Sequence, residues 1–284
     1  MERVAIVTDS ASCLPQEIKD DYQIEVVPLN IHNKDKVYQD GIDITPQQIY
    51  SLQRANEPLT TSAPSPGAFA ESFHRLGEKT REILCFTVAS SYSATFSSMQ
   101  SAIEITKKQL PKLRIELVDC YTGSAAQALV VLAAARAVSL GKNLNEVISI
   151  VQKAIPKVEI NLALDTLKYL ERGGRAPKAG AWATSLLRIK PIVTNKMGHA
   201  HFLGIVRSRS QGVERLVKAM RQKAGLKKLS AIVVHSDLKA EAQALKQRLA
   251  AEFNCHEIYV TELSSVVATH IGPGAIGIAF CPEE

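Results

Sequence analysis

The sequence is poor in aromatic residues, and its cysteines follow no recognisable pattern. Aromatic residues make up 5% of the 284 residues, with a single tryptophan. The five cysteines are scattered and odd in number, with no C-x-x-C spacing. Zinc ribbons and disulfide frameworks need paired, regularly spaced cysteines, so this usage fits a reduced cytoplasm and excludes both.

The sequence also has no long hydrophobic run and no phosphate-binding loop. Its most apolar helical stretch, from Ser124 to Leu140, is interrupted by Gln127 and Arg136, and is therefore unable to span a bilayer. The opening residues MERVAIVTDS lack the basic and apolar regions of a secretory signal. No G-x-x-x-x-G-K-[ST] motif occurs. We therefore expect a cytoplasmic protein with no stable membrane anchor and no P-loop nucleotide chemistry.

What the sequence does have is an ordinary globular composition with an uneven charge. Hydrophobic residues make up 46% and charged residues 22%, and the length allows two domains. Residues 168–228 hold fifteen lysines and arginines against two acids, although the whole chain has a net charge of +6. Such asymmetry is typical of a docking surface for an anionic partner, with a solvated basic face as the alternative. Aromatic residues are few there and no recognition motif occurs, so we expect no nucleic-acid binding.

The order of predicted elements indicates an α/β fold with two domains. Up to residue 158, apolar strands alternate with helical patterns, which predicts a parallel sheet with helices on both faces. These strands are 3–10, 24–31, 81–88 and 114–120, and the helices include 14–22, 46–56, 98–110, 124–143 and 143–157. From residue 159 the strands are mixed, with a hairpin in 190–206 and helices over 180–189, 211–225 and 238–253. We expect an N-terminal parallel α/β domain, 1–158, and a C-terminal α+β domain, 159–284.

Hydroxyl-bearing residues follow several of the predicted strands. They occur as TDS at 8–10, TSAPSP at 61–66 and SSYSATF at 90–96. The carboxyl ends of parallel strands line the ligand crevice, so these hydroxyls are well placed to hold an anion. Serine and threonine also cap helix N-termini, and that alternative stays open for each stretch.

Glycines and charged residues form two further motifs near the chain's end. HIGPGAIGIAF at 270–280 contains a literal G-x-G-x-x-G, but only seven residues follow Gly277 and no helix can, so a dinucleotide site is excluded. These glycines indicate a loop that approaches a ligand closely beside His270, or a structural tight turn. Arg172–Gly–Gly–Arg175 presents two guanidinium groups to an acidic group, or marks an exposed helix end.

Other chemistry finds little support in the residues. His199 and His201 share one side of a strand, but no third metal ligand is evident, and we expect no metal. His235–Ser236–Asp237 cannot form a triad, because triad members converge from separate segments. A serine hydrolase acting on lipid-like substrates through Ser93 is the alternative enzymatic hypothesis, although no G-x-S-x-G elbow surrounds that serine.

Taken together, these motifs resemble the DegV family over essentially the whole chain. The resemblance rests on TDS, TSAPSP, SSYSATF, YLERGGR at 169–175, IKPI at 189–192 and HIGPGAIGIAF, in that order. It implies a non-enzymatic, two-domain bacterial carrier that binds one long-chain fatty acid, with the carboxylate at the domain junction and the acyl tail buried. It also implies a partner, a fatty acid kinase that phosphorylates the presented carboxyl group and supplies phospholipid metabolism, and no cofactor besides the bound fatty acid.

The resemblance also implies which residues of this chain hold the ligand. The carboxylate is expected to meet the hydroxyls of Thr61 or Ser62 and of Ser93, and backbone N–H groups around Ala94. His270 joins that network, and Arg172 supports it from the second domain. Candidate contacts of the acyl tail are the apolar residues of 182–192 and Phe202.

This chain departs from the family pattern beside the motif serine. The family usually has glycine after that serine and tyrosine two positions further, whereas this chain has Ala94 and Phe96. If the position requires a positive φ or a very close ligand approach, Ala94 restricts it and alters the carboxylate cradle.

Overall fold

A computed structural model describes residues 4–176 and 189–283 of the chain, and every structural statement below concerns those residues. Its strands are β1 (Ala5–Asp9), β2 (Glu25–Val27), β3 (Asn30–Asn33), β4 (Lys36–Gln39), β5 (Thr60–Ser62), β6 (Glu82–Thr87), β7 (Arg114–Asp119), β8 (Glu159–Ala163), β9 (Lys190–Lys196), β10 (His199–Val206), β11 (Leu229–His235), β12 (Cys255–Glu262) and β13 (Ile276–Pro282). Its helices are α1 (Gln16–Tyr22), α2 (Pro46–Arg54), α3 (Pro66–Gly77), α4 (Thr95–Gln109), α5 (Ser124–Ser139), α6 (Leu144–Ala154), α7 (Lys168–Arg172), α8 (Arg209–Ala224), α9 (Lys239–Glu252) and α10 (Ser265–Ile271). The helix expected over 180–189 lies almost wholly outside the described residues.

The first sheet confirms the predicted parallel α/β architecture. Its strand order is β2-β1-β6-β7, and all neighbours pair in parallel. Alternate residues of β6 enter different cores: Leu84 and Phe86 pack in the core that contains α5, and Ile83 and Cys85 pack in the core of α3 and α4. Because helices cover both faces, the four consecutive buried residues 83–86 of this strand are all apolar, as its sequence indicates.

The single strand expected over 24–31 is wrong, because the segment forms two strands in different sheets. Pro28 separates β2 from β3 and cannot donate a backbone hydrogen bond. β3 then pairs antiparallel with β4 and β5 in a three-stranded sheet of order β4-β3-β5. This small sheet, which the sequence did not predict, places Thr61 of β5 opposite Ile31.

The third sheet has the order β10-β9-β8-β13-β11-β12, and its pairs are antiparallel except for β11 with β12. It confirms the hairpin in 190–206, whose turn has φ of 44° at Met197 and 79° at Gly198. Helices α8 and α9 pack on one face of this sheet. Helix α5 packs on the other face, against β8, β11 and β13.

Helix α5 joins the two halves of the chain. It is buried almost all round, so it has no single apolar stripe. It contacts β1 as well as the third sheet, and one hydrophobic core runs from Val4 to Cys281 through it. Helix α10, which belongs to the second half and was not predicted from the sequence, packs against α2, β3 and β5 of the first half. Each of the three sheets is built from residues on one side of position 158 in the chain, whereas the hydrophobic core contains residues from both sides. The division into domains 1–158 and 159–284 therefore stays a prediction.

Candidate functional site

A cavity of about 410 Å³ lies where the two halves of the chain meet. Its walls come from segments on both sides of residue 158, and most of its surface is apolar. The apolar side chains and small residues in the walls are Ala11, Leu29, Ala63, Val88, Ala94, Gly123, Ile160, Leu162, Leu170, Val193, Ala200, Val266, Val267 and Ile271. The polar ones are Thr61, Ser62, Tyr92, Ser93, Thr122, Ser124, Arg175, Thr194, Asn195 and His270. The cavity is therefore suited to an elongated apolar ligand with a polar group.

Thr61 and His270 form one polar pair in the cavity wall. Thr61 Oγ1 and His270 Nε2 share a hydrogen bond of 2.8 Å between β5 and α10. The other ring nitrogen, Nδ1, is buried with no hydrogen-bond partner among the described residues, because it packs against Gly173. Burial, reinforced by the charge of Arg175, lowers the pKa of His270 from 6.5 to about 4. The imidazole is therefore neutral at pH 7, and the pair offers hydrogen bonds without an ion pair.

We expect His270 to make the free energy of unfolding rise with pH between about 4 and 6.5. The unfolded chain binds a proton in this range that the folded imidazole does not, so the folded state gains stability as the pH rises. The difference between the pKa values of the unfolded and folded chain corresponds to about 3 kcal/mol. Denaturant unfolding of the wild type and of His270→Gln between pH 4 and 7 measures this as the difference between two profiles. Asp9, whose pKa burial raises to about 6, contributes with the opposite sign in both proteins. Parallel profiles would contradict the prediction.

Ser93 and Ala94 lie in the wall immediately before α4. Ser93 Oγ is 2.8 Å from Thr95 Oγ1 and accepts a hydrogen bond from Thr95 N at 3.3 Å. No side chain caps the helix from the N-cap position, which Ala94 occupies. The N-terminus of α4, where backbone N–H groups have no intrahelical acceptor, therefore lies beside the cavity wall and favours negative charge.

Ala94 has an ordinary backbone conformation, with φ −72° and ψ 5°. A residue with a Cβ adopts this conformation without strain. Position 94 therefore does not require a positive φ in this chain, and Ala94 does not restrict the backbone in that way.

The two candidate hydroxyls of β5 differ in their partners. Ser62 Oγ is 2.8 Å from His32 Nε2 and is exposed, whereas Thr61 is the residue bonded to His270. Successive side chains of a strand point to opposite faces, so only one of the two can join His270. Both residues lie in the cavity wall, but the geometry favours Thr61.

Arg172 is not part of the cavity wall, which corrects the expectation that it supports the site. Its side chain is exposed at the end of α7. Arg175 lines the cavity in its place, donating from Nε and Nη2 to the carbonyl oxygen of Tyr92 at 3.1 and 2.9 Å, and from Nη1 to the carbonyl of Gly173. Gly174, with φ 71°, lets the chain turn between the two arginines. The R-G-G-R motif named both residues, but spacing alone cannot decide which guanidinium turns inward.

The tail contacts expected over 182–192 agree only partly with the cavity wall. Positions 182–188 lie outside the described residues. Ile192 packs in the core of α8 and α9, whereas its neighbour Val193 lines the cavity. Phe202 is not in the wall, but Ala200, two positions earlier on β10, is.

The glycines of HIGPG serve the protein's own packing. A Cβ at Gly272 would collide with the ring of Tyr169, and one at Gly274 with the carboxylate of Asp165. Ser236 fastens this loop, because its hydroxyl donates to the carbonyl of Gly272 at 2.7 Å and accepts from Ala275 N at 2.9 Å. The structural alternative, a tight turn, therefore accounts for both glycines.

No group of three or more histidine, cysteine, aspartate or glutamate side chains that could hold a metal occurs within 4–176 and 189–283. The same residues contain no helix long and apolar enough to cross a membrane. All five cysteines are free. In the described part of the chain the hydroxyl of Ser93 is bonded to Thr95 and to no histidine, so no observation favours the hydrolase alternative.

Sequence reasoning missed several residues of the site. Tyr92 and Asn195 join the two halves beside the cavity: Tyr92 Oη donates to Asn195 Oδ1 at 2.7 Å, and Asn195 Nδ2 donates to the carbonyl of Tyr121 at 2.8 Å. Tyr92 is the third residue of the SSYSATF motif, and that position was the only indication of its role. Nothing local distinguishes Asn195, because the partners of its side-chain hydrogen bonds are more than seventy positions away.

These features define an α/β protein that encloses an apolar cavity between its two halves, with hydroxyl groups and a neutral imidazole in the wall. The chain belongs to the DegV family. A family model described as "Uncharacterised protein, DegV family" matches residues 3–283. Its relatives include a DegV domain-containing protein of Caldanaerobacter subterraneus subsp. tengcongensis, 31% identical over 281 residues that cover 99% of each chain.

Solved structures of relatives have the same fold. A DegV family protein from Thermus thermophilus, described with its fatty acid binding, is 32% identical with a TM-score of 0.90, covering 99% of this chain and 100% of its own. DegV from Bacillus subtilis, described as a fatty acid binding protein, is 26% identical with a TM-score of 0.88 and full coverage of both chains (100%).

Proposed function

We propose that this protein binds a long-chain fatty acid in the cavity, with the carboxylate at the Thr61–His270 pair and the acyl tail along the apolar walls. The observation that carries the proposal is the combination of a mostly apolar cavity with uncharged hydrogen-bonding groups at one part of its wall. The descriptions of the relatives from Thermus thermophilus and Bacillus subtilis as fatty-acid-binding proteins support it.

The carboxylate would be held by neutral donors. Hydroxyls of Thr61 and Ser93, together with N–H groups at the start of α4, can each donate to an oxygen of the ligand. His270 is neutral at pH 7 and can orient Thr61 through their shared hydrogen bond. Arg175 adds positive charge at the same wall while its own N–H groups are bound to carbonyls. Such a cradle satisfies a buried carboxylate without desolvating a second ion.

Affinity for the tail would come from the hydrophobic effect. Each buried methylene contributes about 0.8 kcal/mol, so chain length dominates the binding free energy. Side chains from both halves of the chain would contact the same tail, including Leu29 and Val88 from the N-terminal half and Ile160 and Val193 from the C-terminal half. A fatty acid that fills the cavity would therefore also hold the two halves together.

The direct test is solvent extraction of the purified protein followed by mass spectrometry. We expect about one fatty acid per chain, and recovery of binding when delipidated protein is given palmitate or oleate. The matched variants are Thr61→Val, expected to lower carboxylate affinity about tenfold, and Ser62→Ala, expected to leave it nearly unchanged because Ser62 Oγ is bound to His32. The proposal would be refuted by purified protein that contains no fatty acid and binds neither palmitate nor oleate.

We further propose that the protein is a non-enzymatic carrier in the cytoplasm that presents its fatty acid to a kinase. The basic region 168–228 is the candidate docking surface. Several of its charges are neutralised by acids from elsewhere: Lys190 and Arg209 by Asp165, and Arg221 by Glu252. Arg207, in contrast, is exposed and forms no ion pair with any described residue, so it is the better candidate for contact with an anionic partner.

We expect Arg207→Glu to weaken kinase turnover of the bound fatty acid several-fold while leaving lipid binding intact. An exposed charge contributes to encounter with the partner and not to the cavity. Arg221→Glu is the control, since that arginine is already occupied by Glu252. Acyl phosphate formation is measured with a bacterial fatty acid kinase at two salt concentrations. Equal turnover by the Arg207 variant and the wild type would remove this residue from the docking surface.

A further inference from the structure

Asp9, at the end of β1, is a carboxylate with no exposed surface and no cationic partner among the described residues. All its hydrogen-bond donors are neutral. Burial raises its pKa to about 6, and the nearby carboxylate of Asp40 acts in the same direction. A buried charge that has only neutral donors costs free energy, so we expect Asp9 to have a role through the groups that it binds.

The donors to Asp9 come from three separate segments of the cavity wall. Oδ1 accepts from the backbone N of Ala11 at 3.0 Å and from Nε2 of Gln127 at 3.2 Å. Oδ2 accepts from the backbone N of Val88 at 2.7 Å. Ala11 and Val88 line the cavity themselves, and Gln127 lies in the first turn of α5, just after the lining residue Ser124.

The bond to Val88 leads directly to the residues before α4. Val88 precedes Ala89, whose carbonyl accepts from Tyr92 N at 2.9 Å and from Ser93 N at 3.3 Å. Ala89 N in turn donates to the carbonyl of Thr122, beside the start of α5, at 2.8 Å. The turn that carries Ser93 therefore begins at Val88 and Ala89, and these two residues are bonded to Asp9 and to the carbonyl of Thr122.

We propose that Asp9 is a positioning residue for the carboxylate-binding wall: it sets the position of the 88–94 turn, and hence of Ser93 and the start of α4, relative to the start of α5. This inference rests on the proposed fatty acid binding. Asp9 does not touch the ligand; it acts through Val88, Ala11 and Gln127. An ionised carboxylate suits this role because it accepts from three donors at once, whereas an amide presents N–H groups to at least one of them.

The groups around Asp9 determine the conditions of the test. The titratable groups that interact with it are Asp40 and Cys120, and burial raises the pKa of both, the thiol remaining neutral. Gln127, Ala11 and Val88 contribute neutral donors. At pH 8 Asp9 and a dissolved fatty acid are both ionised, so a change in affinity at this pH reports geometry and not titration.

The experiment compares Asp9→Asn with the wild type at pH 8, using delipidated protein and two ligands, palmitate and methyl palmitate. A displaced Ser93 turn weakens hydrogen bonds to the carboxylate, while the tail is unaffected. We expect the variant to bind palmitate about tenfold more weakly and methyl palmitate within about twofold of the wild type. Ile115→Ala, which removes a core side chain on the α3–α4 side of the first sheet, is the control for general destabilisation and should keep the acid-to-ester affinity ratio.

Gln127→Met keeps the inference testable if Asp9→Asn fails to fold. It removes one donor to Asp9 with little change of volume, and we expect a smaller loss, about threefold, again selective for palmitate. An unchanged acid-to-ester ratio in every folded variant, with normal binding by the wild type, overturns the role of Asp9 alone. A wild type that binds neither ligand overturns the proposed function, and this inference with it.

Discussion

Replacing Ala200 by tryptophan is expected to lower the affinity for a long-chain fatty acid at least 100-fold. Ala200 lies on β10 and its small side chain forms part of the cavity wall opposite Asn195. An indole in its place occupies volume that the acyl tail needs. Excluding about four methylenes at about 0.8 kcal/mol each removes about 3 kcal/mol, which corresponds to roughly 200-fold in the dissociation constant.

His201→Trp is the matched control for this variant. His201 is the next residue of the same strand, it is exposed, and its side chain points to the opposite face. Displacement of a fluorescent fatty acid, together with the lipid content of freshly purified protein, measures both variants. We expect the control to bind like the wild type. Retention of full affinity by Ala200→Trp would show that the acyl tail does not occupy this cavity.

Replacing Gly272 by alanine is expected to destabilise the fold by about 4 kcal/mol. Gly272 has φ 79° and ψ 176°, a region that is essentially restricted to glycine and costs other residues up to about 3 kcal/mol. The added Cβ would also collide with the ring of Tyr169, and overpacking of this kind costs about 1–3 kcal/mol. A loss of this size corresponds to a fall in the melting temperature of roughly 10 °C for a chain of this length.

Gly141→Ala is the comparison at a glycine that has a positive φ and no collision. Gly141 follows α5 with φ 77°, and a Cβ there meets no atom within 4 Å. We therefore expect it to lose only about 1 kcal/mol, the usual cost of a left-handed conformation for a residue with a Cβ. Thermal and denaturant unfolding of the two variants measures the difference. Equal losses would mean that neither the backbone conformation of Gly272 nor its contact with Tyr169 carries the expected cost.

Much of the fold was predictable because its signals are local. The strand predicted at 81–88 contains an apolar run at 83–86, the pattern of a strand covered on both faces, and it forms one of the two central strands of the parallel sheet. The turn at Met197–Gly198 and the helix ends at Gly141 and Gly225 follow from backbone conformations that few residues adopt. The 24–31 segment was predicted as one strand where the structure has two, and β4, β5 and α10 were not predicted, because a short strand or helix has too few residues for its periodicity to be recognised.

The charge that a partner can reach is also only partly predictable from the sequence. The sequence presents residues 168–228 as a nearly uninterrupted basic region. In three dimensions acids distant in the chain neutralise part of it, as Glu159 does for Lys223 and Glu283 for Lys228. Exposed pairs of this kind add little stability, but they remove charges from a docking surface. A count along the chain therefore overstates the charge available to a partner.

The parallel sheet, the hairpin, the family and the motifs that supply the site were predictable from the amino-acid sequence, because the signal for each lies in residues near one another in the chain. Which members of those motifs meet depends on how distant segments pack. Arg175 and not Arg172 faces the cavity, and Thr61 and not Ser62 pairs with His270. These choices depend on contacts across more than eighty positions, such as Arg175 with Tyr92 and Thr61 with His270. Spacing along a chain names candidates, but only the packing of separate segments determines which side chains turn inward.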